Sequence, residues 1–124
     1  MMNPISLAFV GDAVYELLIR TELTDGSKNS NKLHKLTSRI VKASSQSEAL
    51  DKVEGFLTED EKMIVRRGRN AKSHTIPKNA KLRDYKNSTA LEALFGYLYL
   101  MNEEARIIEL LEIIRRDNSE SKTD

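Results

Sequence analysis

The chain has 124 residues, of which 40% are hydrophobic and 31% are charged, and it contains no cysteine. This length suits one domain with its own hydrophobic core, and the lack of cysteine excludes disulfide bonds and thiolate metal sites. The net charge of +1 indicates no particular partner. No apolar run approaches the ~20 residues of a membrane span and no secretion signal is recognisable, so we expect a cytoplasmic protein without a membrane partner.

The first predicted helix runs from about Pro4 to Leu23, with Asn3 suited to cap it and Pro4 suited to its first turn. Its sequence is so apolar that we expect most of the helix to be buried. Asp12 lies in the middle of this sequence. Because a carboxylate among apolar residues is costly unless something positive pairs with it, Asp12 is a candidate ligand for a metal ion or a basic group.

Three further helices are predicted in the next part of the chain, the first of them starting near Asn31. Ser45 with Glu48 has the spacing of a capping box, so a helix begins there or the preceding one bends. Thr58 with Glu61 has the same spacing and predicts the start of another helix. That helix ends in a basic sequence.

Basic residues are concentrated between Arg66 and Lys86, where eight of them accompany one acidic residue and give a local charge of +7. The rest of the chain holds twelve basic and eighteen acidic residues, a charge of −6. The helix dipole accounts for the first arginines but not for the basic residues that follow them. Interleaved Ser, Thr and Asn residues can also bind phosphate oxygens, so the segment predicts a phosphate-binding surface.

Glu92 lies in a second, almost wholly apolar helix, which is predicted to begin at Asn87 or Ser88. Two apolar helices that each carry such an acid predict a shared site, although local capping or ion pairing of each acid remains an alternative. A last helix from Glu103 to about Arg116 shows one apolar face. The sequence shows no strand alternation, so the predicted fold is all-α, with one domain over residues 1–117 and a disordered tail over residues 118–124.

Two of these sequences resemble a known family. Leu-Ala-Phe-Val-Gly-Asp-Ala-Val at residues 7–14 resembles the signature helix of the ribonuclease III catalytic domain, and residues 91–100 resemble its second acidic helix. Gly-Asp-Ala-Val-Tyr-Glu, followed by Arg-Arg-Gly-Arg-Asn-Ala-Lys-Ser and Pro-Lys-Asn, resembles the Mini-ribonuclease III branch, which consists of the catalytic domain alone. The resemblance spans roughly residues 3 to 116.

The resemblance implies a compact helical endonuclease that works as a homodimer and cuts double-stranded RNA with Mg²⁺, leaving 5′-phosphate and 3′-hydroxyl ends. The implied substrate is the precursor of the large-subunit (23S) ribosomal RNA, with a ribosomal protein that presents it as a further partner. Asp12 and Glu92 are then the catalytic metal ligands, because Mg²⁺ prefers hard oxygen ligands. The choice between Mg²⁺ and Mn²⁺ stays open.

The chain departs from the wider family at two positions, where Ala8 and Thr89 replace a glutamate and an aspartate. Half of the usual four carboxylates are therefore missing. Glu16 lies one helical turn after Asp12, so it is a further candidate metal ligand, directly or through water.

The resemblance also implies that the catalytic domain holds the RNA itself, because longer relatives carry a separate RNA-binding domain for which no room follows Arg116. The basic segment is the natural place for these contacts. The predicted RNA-binding residues are Arg67, Arg69, Asn70, Lys72, Lys78, Asn79 and Lys81.

Three other functions are compatible with parts of the sequence. A non-catalytic RNA-binding protein would explain Ala8 and Thr89 as decay of the site, but not the retained pair of acids. A metal-dependent hydrolase of small nucleotides would leave the basic segment without a use. A histidine-based phosphohydrolase is disfavoured because His34 and His74 are the only histidines and neither is followed by aspartate.

Overall fold

The structure is a computed structural model that describes residues 2–24, 30–71 and 81–123, and within these ranges it contains helices and no strands. This confirms the predicted all-α fold class. The helices are α1 (Pro4–Leu23), α2 (Ser30–Val41), α3 (Ala43–Val53), a short 3₁₀ turn (Glu54–Phe56), α4 (Glu59–Asn70), α5 (Leu82–Leu100) and α6 (Glu104–Thr123).

Helix α5 lies at the centre of the fold and packs against α1, α3, α4 and α6. Its middle is buried all round, which explains why this part of the sequence is almost wholly apolar. The ring of Phe95 meets that of Tyr15 on α1 edge to face, with centroids 5.1 Å apart. The helices α1 and α4, which carry candidate site residues, are therefore positioned by their contacts with α5, which carries Glu92.

The helix starts test the predicted caps. Asn3 caps α1 by accepting a hydrogen bond from the Ile5 amide, and Thr58 caps α4 in a complete capping box with Glu61, as predicted. A separate helix does begin near Ser45, which is one of the two predicted alternatives, but the capping box predicted there is wrong. Helix α3 begins two residues earlier, at Ala43, and the Ser45 hydroxyl donates to the Arg39 carbonyl instead.

The predicted start of the Glu92 helix is also wrong, because α5 begins at Leu82 and Asn87 lies buried within it. The Asn87 side chain finds its partners on other helices. Its amide donates to Ser47 Oγ at 2.9 Å, and its oxygen accepts from Arg69 Nε at 2.8 Å. A buried asparagine that is satisfied by tertiary contacts has no need to cap a helix.

Helix α1 is less buried than predicted. One face, with Leu7, Gly11, Tyr15 and Ile19, packs into the core, whereas Phe9 on the opposite face is 82% exposed. Apolar composition alone does not distinguish a buried helix from one with an exposed apolar face. The exposed face is therefore a feature that needs an explanation.

The last helix was predicted to end near Arg116, before a tail over residues 118–124, and α6 extends to Thr123 in the structure. The division of the chain at residue 117 stays a prediction. Within the described ranges, no helix combines the length and apolarity that crossing a membrane requires.

Candidate active site

Asp12 and Glu92 are brought together by the crossing of α1 and α5. The two helices touch backbone to backbone at Gly11 and Gly96. A methyl group on Gly11 would overlap with the backbone oxygen of Glu92, and one on Gly96 would overlap with that of Leu7. Glycine at these two positions thus permits the close approach that places Asp12, the residue after Gly11, beside Glu92.

The electrostatics of Glu92 are unfavourable in the protein alone. Burial, the negative charge of Asp12 and a hydrogen bond with the Asp12 side chain raise the pKa of Glu92 to about 8, and a hydrogen bond from Gln46 only partly opposes this. A shared hydrogen bond between two carboxyl groups requires a proton on one of them. None of the groups that shift the pKa of Glu92 is a cation.

A divalent cation fits this pair of side chains. The raised pKa of Glu92 comes first from burial and then from the charge of Asp12, and a cation held by the two carboxylates would relieve the second of these causes. Among the described residues, no group of three or more acidic, histidine or cysteine side chains is arranged to hold a metal ion. Two carboxylates nevertheless suffice for Mg²⁺, which commonly keeps several water ligands.

Ala8 and Thr89, the two positions at which the chain departs from the family it resembles, contribute no acid. Ala8 is buried beside the core, and the Thr89 hydroxyl donates a hydrogen bond to the Tyr85 carbonyl at 3.0 Å. Glu16 lies on α1 and pairs with Arg20 at 2.9 Å. It also lines a groove of about 480 Å³ that includes Asp12. The role of Glu16 as a further metal ligand stays a prediction.

The third helix supplies a site residue that the sequence analysis missed. Gln46 is only 2% exposed, and its Nε2 donates to Glu92 Oε2 at 3.4 Å. A signal was present in the sequence, because Gln46 precedes Ala49, Leu50 and Val53 by three, four and seven residues. This spacing places it on the buried face of α3.

The predicted RNA-binding residues divide into two groups. Lys72, Lys78 and Asn79 lie outside the described residues, as does His74. The others lie at the end of α4 or directly before α5, and Asn70 and Lys81 are exposed.

Two arginines of the basic segment already have partners within the fold. Arg69 forms an ion pair with Glu54 and donates to Asn87, and Arg83 pairs with Asp51 at 3.2 Å. A guanidinium that is held by carboxylates offers less charge to a phosphate. The contact of Arg69 with RNA stays a prediction.

Comparison with known proteins agrees with this geometry. The family model described as "Ribonuclease III domain" matches residues 5–103. The chain is 45% identical to Mini-ribonuclease 3 of Clostridium tetani over 115 residues, which cover 91% of this chain and 76% of that protein. It is 48% identical to Mini-ribonuclease 3 of a Thermoanaerobacter species over 114 residues, covering 90% and 80% of the two chains.

A crystal structure of a protein from Fusobacterium nucleatum superposes with a TM-score of 0.85 at 34% sequence identity, covering 94% of this chain and 93% of that one. The family match covers both Asp12 and Glu92, the two acids that the structure brings into contact. The chain therefore belongs to the ribonuclease III family, a family of endoribonucleases, and within it to the Mini-ribonuclease III group.

Proposed function

We propose that this chain is a Mg²⁺-dependent endonuclease of double-stranded RNA whose metal is held by Asp12 and Glu92. The observation that carries the proposal is the contact of these two carboxyl groups at the α1–α5 crossing, where no cationic side chain is among the causes of the shifted Glu92 pKa. Mn²⁺ is the alternative metal, since it accepts the same oxygen ligands.

The chemistry follows from the two side chains. Bound magnesium supplies Lewis-acid chemistry, lowering the pKa of water and stabilising negative charge on phosphate oxygens. The Asp12 side chain is exposed to solvent. The Glu92 carboxylate is more buried and accepts a hydrogen bond from Gln46. The products expected from attack of water on phosphorus with loss of the 3′ oxygen carry 5′-phosphate and 3′-hydroxyl ends.

A homodimer is part of the proposal. Phe9, Leu17 and Tyr99 are exposed large side chains that line one groove together with Asp12, so an apolar surface borders the acid pair. A second, 320 Å³ groove continues this surface and is lined by Leu17, Leu18, Tyr99 and Ile108. A second copy seated here would bury the apolar surface and, by twofold symmetry, supply one active site for each RNA strand.

We assign RNA binding to the basic segment, residues 66–86. Exposed Asn70 and Lys81 stand at the two ends of the connection between α4 and α5, and the remaining predicted contacts are Arg67, Arg69, Lys72, Lys78 and Asn79. The proposed substrate in the cell is the 23S ribosomal RNA precursor, presented by a ribosomal protein in the cytoplasm. This part rests on the resemblance to Mini-ribonuclease III.

The experiment that tests the proposal is cleavage of a long double-stranded RNA with and without Mg²⁺ by the unchanged protein, Asp12→Asn and Asp60→Asn. Asp60 is an exposed acid in the first turn of α4 and serves as the matched control. We expect Mg²⁺-dependent cutting that only Asp12→Asn abolishes. RNA binding without cutting by all three proteins would contradict the proposal and favour a non-catalytic RNA-binding protein.

A further inference from the structure

Helix α3 places one neutral polar side chain against the acid pair. The Gln46 side chain is almost completely buried, and its Nε2 donates a hydrogen bond to Glu92 Oε2. Burying a carboxamide is unfavourable unless its polar atoms are paired. The presence of glutamine on the buried face of α3, with Ala49, Leu50 and Val53, thus needs a reason beyond packing.

The Glu92 carboxyl is contacted by two different groups, the Asp12 side chain and the Gln46 amide. We propose that Gln46 is a positioning residue for Glu92, whose amide N–H fixes the orientation of the carboxylate toward the metal that Asp12 and Glu92 share. This inference rests on the proposed function. It adds a residue from a third helix to a site otherwise built by α1 and α5.

An amide is the side chain that suits this task. A carboxylate at position 46 would add a third negative charge beside Asp12 and Glu92, and an apolar side chain would leave Glu92 Oε2 without its donor. A cationic side chain would compete with the metal for Glu92. Glutamine supplies a donor without any charge, so it orients the ligand and leaves its negative charge to the metal.

The next residue, Ser47, makes hydrogen bonds of its own to α5. Ser47 is buried, and its Oγ accepts hydrogen bonds from Asn87 Nδ2 at 2.9 Å and from Arg83 at 3.2 Å. These contacts fix α3 against α5 one residue away from Gln46. Because Ser47 contributes to packing of the same two helices without touching Glu92, Ser47→Ala is a matched control for structural effects.

The test compares Gln46→Met, which keeps the length of the side chain and removes the amide, with Ser47→Ala. Binding of Mn²⁺ without RNA is followed by electron paramagnetic resonance, cleavage is followed against Mg²⁺ concentration, and Tm reports folding. We expect Gln46→Met to raise the Mn²⁺ dissociation constant and the half-saturating Mg²⁺ concentration by about tenfold, with the KM for RNA changed less than about twofold. Ser47→Ala should lower Tm and leave both metal values unchanged.

A second variant protects the test against loss of folding. Gln46→Asn keeps the amide and withdraws it by one methylene, so it should weaken metal binding in the same direction. If both Gln46 variants lower Tm like Ser47→Ala but bind Mn²⁺ like the unchanged protein, Gln46 has a structural role only. If the unchanged protein itself binds no Mn²⁺, the proposed function fails and this inference fails with it.

Discussion

Two carboxylates in this fold have opposite environments. Glu61 is nearly buried, and both of its oxygens accept hydrogen bonds from Arg106, at 2.8 and 2.9 Å. The Arg106 guanidinium, together with the Thr58 amide, holds the pKa of Glu61 below its usual value. Glu92 is also largely buried, yet its charged neighbour is the acid Asp12, and its pKa is raised to about 8.

We interpret this difference as that between a structural acid, Glu61, and the proposed metal ligand, Glu92. Glu61 finds its counter-charge inside the fold, where Arg106 also donates to the Phe56 carbonyl and so joins α6 to the start of α4. Glu92 and Asp12 are held close by the glycine crossing, although burial and the charge of Asp12 both disfavour ionisation of Glu92. This environment is the reason for proposing that the pair binds a cation.

The largest effect is expected from Glu92→Gln. Cleavage should fall more than about 100-fold. Loss of a residue that only hydrogen-bonds to a metal ligand already lowers metal affinity or activity by about 10–100-fold, and Glu92 is a proposed ligand itself. The metal-free variant should be at least as stable as the unchanged protein, since the repulsion from Asp12 is gone. Initial cleavage rates and Tm in the presence of a chelator measure both quantities, and a variant that retains full cleavage would remove Glu92 from the site.

The opposite result is expected from Glu61→Gln. Breaking this buried ion pair should lower the free energy of unfolding by about 3 kcal/mol, because Arg106 is left with an uncompensated charge in a partly buried position. Urea unfolding measures the loss. The half-saturating Mg²⁺ concentration, taken well below the Tm, should stay unchanged, and a shift in it would mean that Glu61 and the metal site are coupled.

Stability of the metal-free protein should fall as the pH rises from about 4.5 to about 8. The unfolded chain releases the Glu92 proton near its ordinary pKa of 4.5, whereas the folded protein keeps it until about 8. Between these values the folded state binds more protons, so each increase in pH favours unfolding. A pH series of Tm values in a chelator tests this, and Glu92→Gln should remove most of the slope.

Basic side chains also divide into those paired within the fold and those exposed to solvent. Arg106 is used within the fold, whereas Lys81 is exposed where the chain enters α5. Lys81→Ala should therefore weaken RNA binding and reduce the slope of log K against log salt by about 1. Lys62→Ala serves as a control, since Lys62 pairs with Glu59 on the first turns of α4. Equal slopes for the unchanged protein and Lys81→Ala would exclude Lys81 from the RNA contact.

The smallest effect is expected at Glu16. If this side chain reaches the metal through water, Glu16→Gln should raise the half-saturating Mg²⁺ concentration by about twofold, far less than the loss of Asp12. Arg20→Ala is the control, because it breaks the Glu16–Arg20 pair without removing the carboxylate. An unchanged Mg²⁺ dependence in Glu16→Gln would leave Glu16 as an ordinary surface ion pair.

The features that sequence predicts well here are local or periodic. The cap at Asn3 and the capping box at Thr58 depend on residues within three positions of each other, and the structure contains both. The apolar helices around Asp12 and Glu92 were predicted to share a site, and in the structure Asp12 is near enough to Glu92 to raise its pKa. Their role as metal ligands remains a prediction.

The features that sequence did not predict depend on other helices. Asn87 has the chemistry of a helix cap, but contacts with Ser47 and Arg69 allow it to lie inside α5. The spacing of Gln46 indicates the buried face of α3, but its contact with Glu92 depends on the packing of α3 against α5. Most of α1 was expected to be buried, yet Phe9 is exposed, because exposure depends on which face of α1 meets α5.

The central claim is that the Asp12–Glu92 pair is the place of a divalent cation. It is tested most directly by the Tm at pH 8, with and without Mg²⁺, of the unchanged protein and of Asp12→Asn. A ligand at 100 times its dissociation constant stabilises the folded state by about 2.7 kcal/mol. We expect Mg²⁺ to raise the Tm of the unchanged protein by about 5 °C or more, and that of Asp12→Asn by far less. An equal rise in both proteins would place the bound metal elsewhere and contradict the claim.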